Sequence, residues 1–363
     1  MNHSELLEFT FFRGRVGLYK ILESLGIGKG HEVITQAYTC VAVPEGILAS
    51  GATPIYVDID PYGYTLDPND LKRVITDKTR AIIVQHTFGL PADMGPIIQT
   101  AQEHNLMIIE DCCHTVTSKH FGQTVGTFGK AAFYSFEYGK PYPVGAGGSV
   151  FTLDPQIKKK LKEVCEDLDE PPLITQFKIE LQALVFRYLY KPSLYWFLKN
   201  TFQALSKTGL LKGNYNAISA GEISDEFGWQ MGSLARQRLT KLIQQSDLVN
   251  NPEDLYLNPL NGLNVRLPIT HDNDDVRFIR YPIQVSDKKA LVQLAQKKKV
   301  EVADWYRSPV HPLEGDELLK IHYAPGSCPN AEKQSAHAVS LPLRGDISNK
   351  YIDKLVEVIQ STS

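Results

Sequence analysis

Residues 81–114 read AIIVQHTFGLPADMGPIIQTAQEHNLMIIEDCCH. Two short apolar runs, AIIVQHT and MIIEDCC, enclose a stretch, Met94–His104, with helical spacing of its apolar residues. Short runs that are apolar on both faces of the pleat predict strands covered by helices on both sides. The same alternation continues outward. Towards the N-terminus it predicts a helix over Gly17–Leu25, a short strand in GKGHEVITQAY and a helix over Val43–Ser50. A strand in TPIYVDID follows, then a helix over Asp67–Ile75 preceded by a capping candidate. Towards the C-terminus come the strands AAFYSF and GSVFTL. Strands separated by helices make βαβ units, so the fold class is α/β with a mostly parallel sheet. Ligands bind at the carboxyl ends of such strands. His86, Asp111 to His114 and Lys140 all stand just after apolar runs.

The chain has 363 residues, 38 Lys+Arg, 41 Asp+Glu and a formal net charge of −3. At roughly 150 residues per domain this length suggests two domains. The charge balance leaves no basic footprint for nucleic acid. No apolar run approaches the ~18 residues of a membrane span, and the N-terminal MNHSELLEFTFFRGR does not read as a signal peptide. The cysteines are Cys40, Cys112, Cys113, Cys165 and Cys328. An odd number without CxxC spacing argues against a disulfide framework or a structural zinc site, no metal ligands are assigned, and a reducing, cytoplasmic location is expected.

Residues 155–225 are less regular: a basic helix, QIKKKLKEV, precedes LQALVFRYLYKPSLYWFLKNTFQAL, read as helix broken near Pro192. Residues 181–205 mix aromatic and basic side chains, as membrane-interface helices do. Packed helices and dimer interfaces share this composition and are the preferred reading. MGSLARQRLTKLIQQSD resumes a helical pattern. Near Asn251 the composition shifts, giving an expected large domain over 1–250 and a small one over 251–363. The latter holds strand candidates RFIRYPIQV, VEVADWY and AVSLPL and a closing helix, SNKYIDKLVEVIQ.

Lys140 stands in SFEYGKPYPVGAGG, past a buried strand and ahead of glycines. It reads either as a lysine that bonds covalently to a carbonyl or as a solvated surface lysine. Asp111 at a strand end suits a pyridinium partner, or a cap or loop ion pair. His114 reads as a ring partner or a structural histidine. Gly14, Arg15 and Val16 open the first helix, where backbone N–H groups and a guanidinium can receive phosphate. Otherwise Gly14 ends a loop and Arg15 is solvated. Ser135 reads as a phosphate donor or a small core residue.

The order of these signals resembles a pyridoxal phosphate enzyme of the aspartate-aminotransferase-like type. GLYKILESLGIGKGHEVITQAYTCVAVPEGILASGATPIYVDIDPYGYTLDP, AIIVQHTFGLPADM, IIEDCCHTVTSKHFGQTVGTFG and FYSFEYGKPYPVGAGGSVFT resemble the DegT/DnrJ/EryC1/StrS sugar aminotransferase family. The resemblance resumes at MGSLARQRLTKL and YAPGSCPNAEKQSAHAVSLPL. It implies a fold type I transferase with a seven-stranded-type, mostly parallel sheet and a smaller C-terminal α+β domain. It implies pyridoxal 5'-phosphate as cofactor and transfer of an amino group from a donor, most often glutamate, to a nucleotide-linked keto sugar. A homodimer is implied too. Lys140 falls at the lysine that carries the cofactor, Asp111 at the carboxylate facing the pyridine nitrogen, and His114 at a Gln or His beside the ring. Ser135, Gly14, Arg15 and Val16 fall at the phosphate, and Cys40 where an aromatic often stacks. His86 is a candidate substrate contact, and His311 with the segment WYRSPVHP a candidate lining of the acceptor pocket. Arg15 replaces a small hydroxyl residue, and Gly228 replaces an Asn that reaches a neighbouring subunit's phosphate. Cys40, Ala146 and Gly228 depart from the family pattern and leave open a non-catalytic or regulatory protein on this fold. Sugar dehydratases of the family carry His at the lysine position, which Lys140 opposes.

Overall fold

The computed structural model describes residues 3–189, 194–207, 223–245, 253–343 and 347–362. The strands, in chain order, are β1 (Phe9–Phe11), β2 (Glu32–Gln36), β3 (Thr39–Cys40), β4 (Thr53–Val57), β5 (Thr79–Gln85), β6 (Met107–Asp111), β7 (Lys119–His120), β8 (Gln123–Thr124), β9 (Ala131–Ser135) and β10 (Gly148–Phe151). β11 (Asp274–Asp275), β12 (Arg280–Gln284), β13 (Val310–His311) and β14 (Ala338–Pro342) follow. Seven of them form one sheet, ordered β1-β10-β9-β6-β5-β2-β4. Neighbours from β9 to β4 are all parallel, and β10 runs against both β9 and β1. The expected mostly parallel α/β sheet is the observed one.

Helices cover both faces. They are α1 (Gly14–Ser24), α2 (Ala42–Ala49), α3 (Pro68–Val74), α4 (Met94–Glu103) and α5 (Pro155–Cys165). Because successive strand side chains point to opposite faces, each apolar run serves two cores. Val33, Ile83 and Ile109 pack with Val16, Leu18, Ile21 and Leu22 of α1. Their neighbours Ile34, Ile82 and Ile108 pack with Leu71 of α3 and Met94 and Ile97 of α4. α1 starts at Gly14, three residues before the expected Gly17.

Later helices are α6 (Leu173–Leu189), α7 (Tyr195–Lys207), α8 (Ser233–Gln245), α9 (Glu253–Leu260), α10 (Lys288–Lys298), α11 (Glu317–Lys320), α12 (Pro329–His337) and α13 (Asn349–Gln360). β12 and β14 pair antiparallel, and α13 buries Ile352, Leu355, Val358 and Ile359 on the same C-terminal core. VEVADWY, expected as a strand, is not one: residues 300–306 make a single bridge, Ala303 to Ser340, and then turn to present Trp305 and Tyr306 to the sheet's carboxyl edge. The break expected at Pro192 and the domain boundary expected at 250/251 lie outside the described residues. α6 leaves an apolar stripe in solvent, Ile174, Phe177, Leu181, Leu184 and Tyr188, with Phe177 65% exposed. Among the described residues no helix is long and apolar enough to cross a membrane.

Glu110 holds the carboxyl edge of the sheet together. It is fully buried and accepts backbone N–H bonds from Gly126 (2.6 Å), Phe128 (2.7 Å) and Gly129 (2.6 Å), with His86 Nε2 at 3.1 Å. Glu110→Ala is expected to strand these donors and cost about 3–5 kcal/mol. Urea denaturation should show a lower midpoint at an unchanged slope; a shift below about 1 kcal/mol would refute the role.

Candidate active site

A cleft enclosing about 530 Å³ of space, open solvent included, lies at the carboxyl ends of the central strands, where parallel sheets bind their ligands. Gly14, Arg15, Cys40, Asp111, His114, Ser135 and Lys140 all line it. Asp111 ends β6 and Ser135 ends β9, while Lys140 sits in the loop from β9 to β10. Phe136 N–H donates to Gly147 O (2.8 Å) and Val144 N–H to Phe136 O (2.8 Å), which closes that loop on itself. Gly147 has φ of 142°, a conformation open to glycine rather than larger residues. A Cβ on Gly148 would lie 2.5 Å from the Arg13–Gly14 peptide, so glycine there lets the start of α1 seat against β10. The cap residue Arg13 supplies no side-chain hydrogen bond to α1, so the helix start faces the cleft without one.

Asp111 is buried, and its Oδ1 accepts the Cys113 N–H at 3.0 Å. Burial raises its pKa, opposed by Cys113 and by the charge of Lys140. His114 is buried too, and burial holds its pKa well below the usual histidine range. Its Nδ1 accepts the Phe88 N–H (3.0 Å), so the neutral ring carries its proton on Nε2, 3.4 Å from the Tyr306 hydroxyl. The ring stacks on Phe88 and lies 4.8 Å from Trp305. The Lys140 Nζ stands 5.2 Å from the centre of the Trp305 ring.

Three sequence expectations sit elsewhere. Val16 lies in the core under α1, and its N–H already donates to Arg13 O (3.2 Å). His86 is fully buried and both ring nitrogens are engaged, Nε2 with Glu110 and Nδ1 with the Ala92 N–H (3.1 Å). It does not line the cleft. His86, Glu110 and Cys112 have ligand-type atoms within 4.8 Å of one another, but the histidine and carboxylate lone pairs are spent on these hydrogen bonds. His311 pairs with Cys40 across β13 and β3 and packs 5.4 Å from Tyr306, behind the cleft wall. Burial pushes its pKa down to about 3.

Other lining residues went unread in the sequence, Arg13 and Glu137 among them. Arg13 and Arg15 are held by Glu137, Glu226 and Glu45. The signal available was RGR, two arginines around the helix-opening glycine, with Glu137 three residues before Lys140. Glu45 is wholly buried on α2, and its Oε1 has no hydrogen-bond partner. Burial pushes its pKa up to about 7, against the pull of Arg15. A carboxyl raised in the folded state stabilises below its unfolded pKa and loses that contribution as pH rises through the folded value. Between pH 5 and 8 the protein is expected to lose stability, by up to about 3 kcal/mol from this group, and Glu45→Gln should flatten the decline. Equal slopes of melting temperature against pH in the two proteins would refute this.

The profile of the DegT/DnrJ/EryC1/StrS aminotransferase family matches residues 10–167 and 231–360. The chain belongs to this family. UDP-N-acetyl-3-dehydro-alpha-D-glucosamine 3-aminotransferase of Acidithiobacillus ferrooxidans is 27% identical over 352 residues, covering 96% of this chain and 82% of the relative. GDP-perosamine synthase of Escherichia coli O157:H7 is 41% identical over 145 residues, 40% of either chain. The structure of DesV from S. venezuelae has the same fold, with a TM-score of 0.71 at 23% identity over 97% of this chain and 84% of that one. This DegT/DnrJ/EryC1/StrS chain is a pyridoxal phosphate-dependent aminotransferase of the fold type I class. The cleft fits that cofactor. It offers an amine, a buried carboxylate, a flat neutral ring, a helix start without a side-chain cap and a hydroxyl around one cavity.

Proposed function

We propose that this chain transfers an amino group from glutamate to a keto group on a nucleotide-linked sugar, with Lys140 and Asp111 as catalytic residues. The observation that carries the residue roles is that Lys140, Asp111, His114, Ser135 and the start of α1 share one cleft. Pyridoxal phosphate, when bound, supplies an electron sink conjugated to the carbon that exchanges its proton. The Lys140 amine lies on the cleft wall, where Nζ would carry a proton between the donor's α-carbon and the cofactor, and in the reverse sense between the cofactor and the acceptor carbon. The buried Asp111 carboxylate, which already accepts the Cys113 N–H, would pair with the pyridine nitrogen and keep it protonated. His114 presents a neutral flat ring, fixed by Phe88 and Tyr306. Ser135 and the Gly14 N–H donate to the phosphate. Cys40 closes the far wall beside Ala42 and Val43.

The sugar acceptor is supported by the names of the relatives above. A homodimer is supported by the exposed stripe on α6, which water leaves uncovered. Sedimentation should give twice the chain mass, and substitution of Phe177 and Leu181 by Ser should shift it towards the monomer. The holoenzyme mixed with L-glutamate, without acceptor, should release one equivalent of 2-oxoglutarate per site. Release from no amino donor at all would overturn the proposed function. A uridine- or guanosine-diphosphate keto sugar should then restore the starting absorbance.

A further inference from the structure

Both arginines at the start of α1 are already held by carboxylates. Arg13 donates to Glu137 and, through Nε, to Glu226 Oε2 at 3.1 Å. Arg15 donates to Glu226 Oε1 through Nε (2.8 Å) and through a second nitrogen, and to Glu45 Oε2 at 3.0 Å. Glu226 therefore bridges the two guanidiniums, one oxygen to each. Three carboxylates face two guanidiniums, all with side chains at most 17% exposed. Arg13, Arg15 and Glu137 line the cleft beside Gly14 and Ser135.

Glu226 lies in the turn Asp225–Gly228, inside the stretch 168–230 that the family profile leaves unmatched. The turn is firmly seated. Phe227 is buried and meets Tyr19 of α1 edge-on at 5.4 Å, while Trp229 O accepts the Phe12 N–H at 3.1 Å. Glu226 is thereby aimed at the arginines by packing on both sides.

A phosphate dianion added beside this cluster would bring negative charge to a partly buried site whose two guanidiniums are already paired with carboxylates. Burial makes such unpaired charge costly. The dianion is accommodated if it replaces a carboxylate on the guanidinium. We propose that Glu226 is a positioning and specificity residue, a latch that holds Arg15 at the phosphate end of the cleft and yields it to a phosphate group in exchange. This rests on the cofactor site proposed above. Glu226 then sets how strongly the site prefers a phosphorylated pyridoxal over an unphosphorylated one.

The test uses the full chain freed of cofactor and titrated with pyridoxal phosphate, pyridoxal and inorganic phosphate. Glu226→Gln keeps the side-chain shape and removes the competing charge. Its preference for pyridoxal phosphate over pyridoxal should rise about tenfold, in line with loss of one charge-assisted contact, with inorganic phosphate binding tighter as well. Arg15→Gln should lower the same preference by a similar factor. The latch is overturned if either folded variant keeps the wild-type preference, or if Glu226→Gln weakens phosphate binding. If Glu226→Gln does not fold, Arg15→Gln alone decides. Borohydride trapping separates the two readings. A failed latch leaves the tag on Lys140, whereas a tag elsewhere refutes the cofactor site while the inorganic phosphate arm still reports on Glu226.

Discussion

Lys140→Ala is expected to abolish transamination. Loss of the amine removes both the covalent hold on the cofactor and the proton carrier, so turnover should fall by at least about 10³-fold. The absorbance band of the lysine-linked cofactor should vanish, and borohydride with pyridoxal phosphate should no longer label the chain at this position. Lys140→Arg is the sharper control. It keeps a positive charge near Trp305 but offers no amine able to bond to a carbonyl or give up a proton at neutral pH. It should be as inactive as the alanine variant. Turnover retained in either variant would refute the assignment and return Lys140 to the surface-lysine reading.

Asp111→Asn should separate chemistry from folding. The amide Oδ1 can still accept the Cys113 N–H, so the turn after β6 stays in place. What is lost is the carboxylate that pairs with the pyridine nitrogen and keeps it protonated. The rate should drop by about 10²–10⁴-fold, with the melting temperature changed little. A variant that unfolds, or one that keeps near-normal turnover, would mark Asp111 as a structural carboxylate. The raised pKa of Asp111 comes first from burial and is held back by Cys113 and Lys140. Removing Lys140 should therefore raise it further, and the acid limb of any residual half-reaction should move to higher pH.

The departures at Cys40 and Gly228 left a non-catalytic reading open, and the family match and the intact cleft decide for the enzyme. Cys40 still lines the cleft at the end of β3. The structure also answers how Arg15 is placed: Glu45 and Glu226 hold it. A surface-exposed arginine waiting for phosphate is not what the chain has built.

The apolar runs around 82–84 and 108–110 specified buried parallel strands because both faces of the pleat must be covered. Strand order then put Asp111, Ser135 and Lys140 at one edge, since a parallel sheet collects its carboxyl ends on one side. That much follows from local pattern and spacing. Val16 and His86 do not line the cleft because their polar groups found partners that spacing does not show: the Val16 N–H has Arg13 O, and both nitrogens of the His86 ring are engaged. Val16 turned into the α1 core, and His86 found Glu110 and Ala92. Tyr306, Trp305, Glu45 and Glu226 reach the site or its arginines from distant parts of the chain. Their contacts depend on long-range packing, the seating of Phe227 on α1 and of the 300–306 segment on the sheet edge. Electrostatics over such contacts depends on distance and burial, and neither quantity exists until the chain has closed on itself.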